Sequence, residues 1–284
     1  MQHKERIVGT PVLYLFRSSE LFVTQYNTLP IDYPDIGEES LLDSMDIDIA
    51  GVPSRILLFK DEASRAAVVS ASVCGPPASS DSCGGESSGK WIRLRSIFAS
   101  DDPLLASLAS PAARALGLIN WHNSCRFCAR CGTAVIDKPG EIARVCPVCS
   151  AIYYPRISPA IIVLVHKGDT VLLARHAARN QEVYSCIAGF LEHGETLEEC
   201  VAREVFEETG ISVTDICYAG SQSWPYPDQH MIAFHARWAS GEVTVDPKEI
   251  LEARWFPRDA MPATPMPGTV AWRLIFGDWG DDFR

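Results

Sequence analysis

No run of 18 uninterrupted apolar residues occurs in this 284-residue chain, so no segment reads as a membrane-spanning helix, which needs roughly 20. The opening residues, Met1-Gln2-His3-Lys4-Glu5-Arg6, lack the apolar core of a secretory leader, and export is not expected. Basic side chains are in deficit: 25 Lys and Arg stand against 36 Asp and Glu, a net charge of −11. That balance argues against broad, sequence-independent nucleic-acid binding, which depends on lysines and arginines neutralising phosphates. A small anionic substrate stays open if a metal screens it.

What is present is enough apolar material for real cores, with 47% hydrophobic residues and a length that fits two domains. Ten cysteines would suit a disulfide framework in a short secreted chain, but five of them fall within Cys125–Cys149. In a long, intracellular-looking chain, metal binding in a reducing compartment is the better reading. Cys128-x-x-Cys131-Gly132 and Cys146-x-x-Cys149, separated by 14 residues, have the spacing of a four-thiolate zinc ribbon. Cys125-x-x-Cys128 is a second legal pair. Gly132 favours Cys128 and Cys131, because a knuckle turn wants a glycine after its second sulfur. Four protein ligands leave no open position, so this zinc is expected to be structural.

The densest concentration of acid lies in residues 189–211. Gly189 and Gly194 open a loop, Thr196-Leu197-Glu198-Glu199 reads as a capping box, and Gly210 stops the helix. The predicted helix runs from Leu197 to Thr209. Glu204, Glu207 and Glu208 stand at i, i+3 and i+4, so three carboxylates crowd one side. Val201, Ala202, Val205 and Phe206 occupy another side, suited to packing on a sheet with the acids turned toward a cleft. Crowded carboxylates of this kind suit magnesium or manganese, and magnesium commonly serves substrates whose phosphates complete its shell.

The remainder is expected to be strand-rich with few helices. Strands are predicted at 7–16, 21–24, 47–60, 66–73 and 90–97, followed by two helices within 103–120 that break at Pro111. Residues 74–90, nearly all Gly, Ser and Pro, read as a mobile loop. After the ribbon, strands are expected at 160–165 and 170–174 with a hairpin at Gly168-Asp169, then at 216–221, 231–239 and 243–245, with a closing helix at 268–276. The expected division is 1–120, a structural or dimer-forming α+β domain; 121–155, the ribbon; and 156–284, the catalytic domain.

Gly189-x5-Glu195-x7-Arg203-Glu204-Val205-Phe206-Glu207-Glu208-Thr209-Gly210-Ile211 resembles a complete Nudix box. The resemblance implies an α+β fold, an α/β/α sandwich with a mixed sheet, and metal-dependent hydrolysis of a diphosphate linked to another group. With ten residues intervening after Gly210, Ser221-Gln222-Ser223-Trp224-Pro225-Tyr226-Pro227-Asp228-Gln229 resembles the loop of the NADH pyrophosphatases, Ser-Gln-Pro-Trp-Pro-Phe-Pro-x-Ser. It departs at Ser223, Tyr226 and Gln229. The ribbon ending in Tyr153-Tyr154-Pro155-Arg156, the box, the loop and Asp246-Pro247-Lys248-Glu249 follow that family's order.

That resemblance implies metal contacts from Glu204, Glu208, Glu249 and the Ala188 carbonyl, with Glu207 beside them, and an ion pair between Arg203 and Glu195 that braces the loop. It implies substrate contacts from Tyr154, Phe190, Gln222, Ser223, Trp224, Pro225, Tyr226, Pro227, Asp228, Gln229 and Ala271. Glu208 and Glu207 are the candidates for the general base. The expected reaction converts NADH or NAD into nicotinamide mononucleotide and AMP, with NAD-capped RNA 5′ ends as a related substrate and a homodimer as the assembly. ADP-ribose, a dinucleoside polyphosphate, a non-catalytic ribbon protein and a cysteine-based redox sensor are the rival readings. Family members occur in peroxisomes, but Asp281-Asp282-Phe283-Arg284 is not a Ser-Lys-Leu type of address, so the cytoplasm is the expected location.

Overall fold

The computed structural model of the chain describes residues 12–24, 41–49, 52–59, 89–177 and 182–277. The chain divides into two compact units, residues 1–156 with 225–228, and residues 157–224 with 229–284.

The first unit holds a five-stranded sheet of order β3-β4-β1-β2-β5, built from β1 (Val12–Arg17), β2 (Glu20–Thr24), β3 (Leu41–Ile49), β4 (Val52–Phe59) and β5 (Gly89–Arg93). β1 runs parallel to β4, and the other pairs are antiparallel. Helices α1 (Leu94–Phe98), α2 (Pro103–Ser107) and α3 (Ala109–Ser124) follow. Ala112, Ala113, Ala115, Leu116 and Ile119 of α3 share a buried core with Tyr14, Phe16, Leu21, Val23, Ile56 and Leu58 of the sheet. The small residues on α3 let the helix approach closely, and the larger side chains come from the strands.

Three expectations for this unit need correction. The strand predicted over 90–97 ends at Arg93, because its partner β2 runs out at Glu20, opposite Arg93. With no ladder left to join, the backbone turns into α1 and buries Leu94 and Ile97, one turn apart. The break expected at Pro111 falls instead at Leu108, between α2 and α3. Pro111 lies in the first turn of α3, where its missing N–H has no intrahelical acceptor to lose. The stretch predicted as a strand over 47–60 comprises parts of two antiparallel strands, β3 and β4. Residues 7–11 and 66–73, and nearly all of the predicted loop at 74–90, lie outside the described residues.

The ribbon contributes β6 (Ile136–Asp137), β7 (Arg144–Val145) and β8 (Ile152–Tyr153), a small antiparallel sheet. His122 on α3 ties it to the larger sheet: Nδ1 lies 2.7 Å from Asp43 Oδ2 and Nε2 2.9 Å from Asp137 Oδ1. Arg144 Nη1 donates to the carbonyl of His122 at 3.0 Å, and Nη2 to that of Val135 at 3.2 Å.

The second unit is an α/β/α sandwich. Its sheet has the order β12-β13-β9-β10-β14, from β9 (Ser158–Lys167), β10 (Thr170–His176), β12 (Ser212–Trp224), β13 (Gln229–Ser240) and β14 (Ile250–Pro257); β11 (Ile187–Phe190) pairs with β9 beside β10. β13 runs parallel to β9 while its other neighbours are antiparallel, so the sheet is mixed. Successive side chains of a strand face opposite sides. Ile161, Val163 and Val165 of β9 therefore join the core under helix α4 (Leu197–Thr209), while Ala160, Ile162 and Leu164 join the core under helix α5 (Val270–Phe276).

Residues 243–245 are not a strand. Val243 and Val245 pack against the α4-side core, and Thr244 N–H donates to the carbonyl of Thr209 at 2.8 Å, so this backbone covers a helix end rather than extending the sheet. β11 and the edge strand β14 had no strand expectation. Glu252 and Arg254 interrupt the apolar pattern of β14, as suits an edge.

Burial alone would push the His122 imidazole down, but the hydrogen bonds and charges of Asp137 and Asp43 outweigh it and hold its pKa at about 9. Its unfolded value is near 6.5. A folded-state pKa that is raised stabilises fully below the unfolded value, and the contribution disappears as pH climbs through about 9. Denaturant unfolding should show stability declining between pH 7 and 9.5. His122→Ala should flatten that slope and cost about 2 kcal/mol at pH 6, after a discount for solvent at the largely exposed Asp137.

Candidate functional site

Helix α4 begins where the sequence says it should. Thr196 Oγ1 accepts the N–H of Glu199, the Glu199 carboxylate accepts the N–H of Thr196, and Gly210 closes the helix in the left-handed region at φ 70°. Cys200, Val201 and Val205 are fully buried against the sheet. Phe206, expected on that face, is 58% exposed, and Cys200 takes the inward position instead.

That rotation sorts the three glutamates. Cys200, Glu204 and Glu208 are spaced by four residues and share one stripe at the edge of the buried face. Glu208 is 6% exposed and Glu204 14% by side chain, whereas Glu207 is 57% exposed. Spacing puts the three acids together; the sheet decides which two are desolvated. Burial raises the pKa of Glu204. Burial, reinforced by the charges of Glu204, Glu249 and Glu207, pushes Glu208 up to about 8. Glu249, 41 positions beyond Glu208, thus bears electrostatically on both buried acids.

Arg203 fastens the preceding loop to the helix. Its Nε and Nη2 donate to the two oxygens of Glu195 at 2.5 and 2.9 Å, and Nη2 also reaches the carbonyl of Phe190 at 3.0 Å. Nη1 donates to Glu204 Oε1 at 2.9 Å and Glu207 Oε2 at 3.0 Å. One guanidinium therefore positions the loop, the end of β11 and two acids. The Arg203 hydrogen bonds, with a further one from the Glu192 N–H, hold Glu195 down at about 2.

Gly189 on β11 explains a demand that its place in the motif does not. A Cβ there would stand 1.8 Å from the Glu204 carboxyl carbon and 2.0 Å from Oε1. The Glu204 carboxylate occupies the space that any other residue would fill. Glu208 Oε2 is buried with no hydrogen-bond partner among the described residues. A desolvated carboxylate oxygen without a donor, beside a half-buried carboxylate and the charge of a third, suits a hard cation. Magnesium or manganese fits these residues.

Residues expected to touch substrate fall in both units. In the second unit, Phe190 is 52% exposed and Ala271 is 5% exposed on α5. The Gln222 side chain is engaged within its own unit, donating to the carbonyl of Gly268 at 3.0 Å and accepting from the N–H of Val270 at 2.9 Å. Ser223 is exposed, Gln229 half-buried, and Trp224 packs against the α5-side core. In the first unit, Tyr154 is 59% exposed. The Arg95 guanidinium lies 4.5 Å from the centroid of the Tyr226 ring, and the Cβ of Pro225 is 3.6 Å from where a Cβ on Gly117 would stand. The Tyr226–Pro227 peptide is cis, and Asp228 pairs with Arg156 at 3.0 Å.

The ribbon sulfurs of Cys128, Cys131, Cys146 and Cys149 all lie within 4.8 Å of one another. The separations Cys128–Cys149 and Cys131–Cys146 are 3.5 Å, and Cys131–Cys149 is 3.7 Å. A tetrahedral zinc with Zn–S of about 2.3 Å sets its sulfurs about 3.8 Å apart, so the set fits a closed structural site. Cys125 stands outside it as the C-cap of α3. The two knuckles repeat one design. Cys128 and Cys146 donate N–H to the carbonyls of Thr133 and Ala151, and a left-handed residue follows each second cysteine, Gly132 at φ 73° and Ser150 at φ 57°. Sequence reasoning passed over Tyr153, whose hydroxyl accepts the Ala129 N–H at 3.0 Å and lies 3.1 Å from Cys128 Sγ. A hydroxyl so placed stabilises a thiolate and orients the ligand.

The chain matches the NUDIX domain over residues 155–273 and the NADH pyrophosphatase zinc ribbon domain over residues 123–154. It is 47% identical over 170 residues to the NAD-capped RNA hydrolase NudC of Salmonella heidelberg, and 47% identical to that of Salmonella typhi, covering 60% of this chain and 66% of each relative. The chain therefore matches just under two thirds of the length of those relatives. A NUDIX hydrolase crystal structure from Nitrosomonas europaea is similar at 27% identity, with a TM-score of 0.46, over 53% of this chain and 90% of that one.

Zinc content separates the cysteines. Cys131→Ser should lose the bound zinc and Cys125→Ser should retain about one ion per chain, measured by atomic absorption on purified protein. Gly189→Ala should displace the Glu204 carboxylate and weaken magnesium binding at least tenfold in calorimetry, with helix content retained.

Proposed function

Since this chain matches the NUDIX domain and, ahead of its box, the zinc ribbon domain of the NADH pyrophosphatases, we propose that it is a divalent-metal-dependent diphosphatase. It cleaves the pyrophosphate of NADH or NAD to nicotinamide mononucleotide and AMP, and it removes NAD caps from RNA 5′ ends. The observation that carries the chemistry is buried Glu208 beside half-buried Glu204, with an unpartnered carboxylate oxygen on Glu208 and the charge of Glu249 upon it. The ribbon domain, the names of the relatives and the Gln222–Gln229 loop support the substrate class.

Glu204, Glu208 and Glu249 would hold magnesium or manganese, with Glu207 and the Ala188 carbonyl completing the set. When bound, the ion screens phosphate charge and lowers the pKa of an attacking water. Glu208, with Glu207 as the alternative, accepts the proton of that water. The water oxygen bonds to one phosphorus, the bridging P–O bond breaks, and both products leave as phosphate monoesters. Arg203 and Glu195 keep the 189–195 loop seated on the helix and so hold the acids in register. Tyr154, Phe190, residues 222–229 and Ala271 contact the dinucleotide. The working assembly is a homodimer in the cytoplasm, organised as 1–120, 121–155 and 156–284. No described helix is long and apolar enough to cross a membrane.

Incubation with magnesium and NADH, NAD, NAD-capped RNA, ADP-ribose or a diadenosine polyphosphate, with products resolved by chromatography, tests the reading. NADH, NAD or NAD-capped RNA should be the most efficient substrate. A preference for ADP-ribose or the polyphosphate would reassign the substrate, and no hydrolysis at all would leave a ribbon-based interaction protein. Glu208→Gln should lower turnover at least a hundredfold while zinc content and fold persist. Because Glu208 takes up a proton below about pH 8, metal must displace that proton. Magnesium affinity should therefore rise up to tenfold per pH unit between pH 6 and 8 and level off above. Calorimetry in buffers of different ionisation enthalpy reads the released proton.

A further inference from the structure

Glu249 is far in sequence from Glu204 and Glu208, and it lies on no helix or strand. Something other than regular secondary structure must aim it. The segment from Gly241 to Glu249 runs as a strap from the end of β13 to the start of β14, and it is fastened at both ends. At the first end, Gly241 approaches the C-cap of α4 so closely that a Cβ would stand 2.9 Å from the Gly210 carbonyl oxygen. Trp238 Nε1 donates to the Gly241 carbonyl at 3.1 Å, and Thr244 N–H donates to the Thr209 carbonyl at 2.8 Å. At the second end, the Glu249 carbonyl accepts the N–H of Ala177, just beyond β10, at 2.8 Å.

Between those anchors a single residue organises the turn. Asp246 Oδ1 accepts the N–H of Lys248 at 2.9 Å, while the Asp246 carbonyl accepts the N–H groups of Glu249 at 3.1 Å and Ile250 at 2.9 Å. Pro247, in the middle, has no N–H to satisfy and a fixed φ, so it stiffens the turn. Asp246 thus engages three successive N–H groups across 248–250 and sets the direction in which the chain leaves the strap at Glu249.

We propose that Asp246 is a positioning residue for the metal site: its side-chain acceptor fixes the 246–249 turn so that the Glu249 carboxylate faces Glu204 and Glu208. This inference rests on the reading that those three glutamates hold the divalent ion. The Asp246 carboxylate is itself exposed and acts through backbone geometry, not by coordination. An acceptor of the right shape should serve as well as a charged one.

The test uses full-length, zinc-loaded protein and two readouts. Free manganese is followed by electron paramagnetic resonance during titration, and the metal dependence of NADH hydrolysis is measured in parallel. Asp246→Ala, which removes the acceptor, should weaken manganese binding about three- to tenfold, the range expected from one lost hydrogen bond. Half-maximal activation should shift by the same factor, with turnover at saturating metal near wild type. Asp246→Asn keeps the acceptor without the charge and should restore both values to within about twofold.

Equal weakening in Asp246→Asn and Asp246→Ala would overturn the proposal in favour of a long-range charge effect. Unchanged binding in Asp246→Ala would overturn it outright. Thermal unfolding of each zinc-loaded, manganese-free variant identifies a collapse of the fold, in which case Asp246→Asn against wild type carries the comparison. Failure of the underlying reading looks different: wild-type protein would bind no manganese beyond its zinc, or Glu208→Gln and Glu249→Gln would bind it as tightly as wild type.

Discussion

Mutual repulsion among carboxylates is the constraint around which the second unit is arranged. Glu204 and Glu208 are partly or fully withdrawn from water and feel each other and Glu249, and burial drives both pKa values up. Left to themselves they would separate or protonate. Each surrounding device opposes one of those escapes. The capping box and Gly210 fix where α4 starts and stops; Cys200, Val201 and Val205 fix its rotation on the sheet. Arg203 pulls Glu204 and Glu207 toward the loop it shares with Glu195. Gly189 clears the space that the Glu204 carboxylate fills. The strap from Gly241 to Glu249 ends at the third acid, whose charge bears on both. A local structure that is costly without a cation and relaxed with one is how a protein prepares a metal site in advance.

The ribbon of the first unit solves the same problem with sulfur. Four cysteines converge to within 4.8 Å, a cluster whose thiolates only a soft or borderline cation reconciles. Here the restraint is a pair of knuckles with matching backbone hydrogen bonds, plus the hydroxyl of Tyr153 beside Cys128. His122 handles charge in the opposite sense. Two aspartates hold one imidazolium between the large sheet and the ribbon hairpin, and Arg144 fixes the neighbouring carbonyls. In all three places the chain accepts a local electrostatic cost and offsets it with a partner of complementary charge.

Much of this was legible in the order of residues because the relevant contacts are local. The helix 197–209, its cap and its stop all rest on interactions spanning at most four residues, and observed and expected bounds agree. The ribbon spacing is local too, since each knuckle closes over two intervening residues. Where expectation failed, the missing information was long-range. Strand 90–97 stopped at Arg93 because β2 stopped opposite it. Residues 243–245 had strand-like composition but met a helix end instead of a strand edge. β14, with Glu252 and Arg254 in its span, became a strand because β10 had a free edge to offer.

By itself the sequence determined which acids would lie together, which cysteines were candidates for the zinc, and that an acidic helix would follow a two-glycine loop. These follow from residue type and helical period, quantities set within a turn or two of chain. Only the tertiary structure decided that Glu208 is buried and Glu207 exposed, that Cys125 stands apart from the four sulfurs, and that the Glu204 carboxylate fills the space a side chain on residue 189 would need. It alone decided, too, that Asp246 organises the turn from which the chain leaves at Glu249. The physical reason is the same in each case: desolvation and steric exclusion depend on what packs against a residue, and that neighbour comes from elsewhere in the chain.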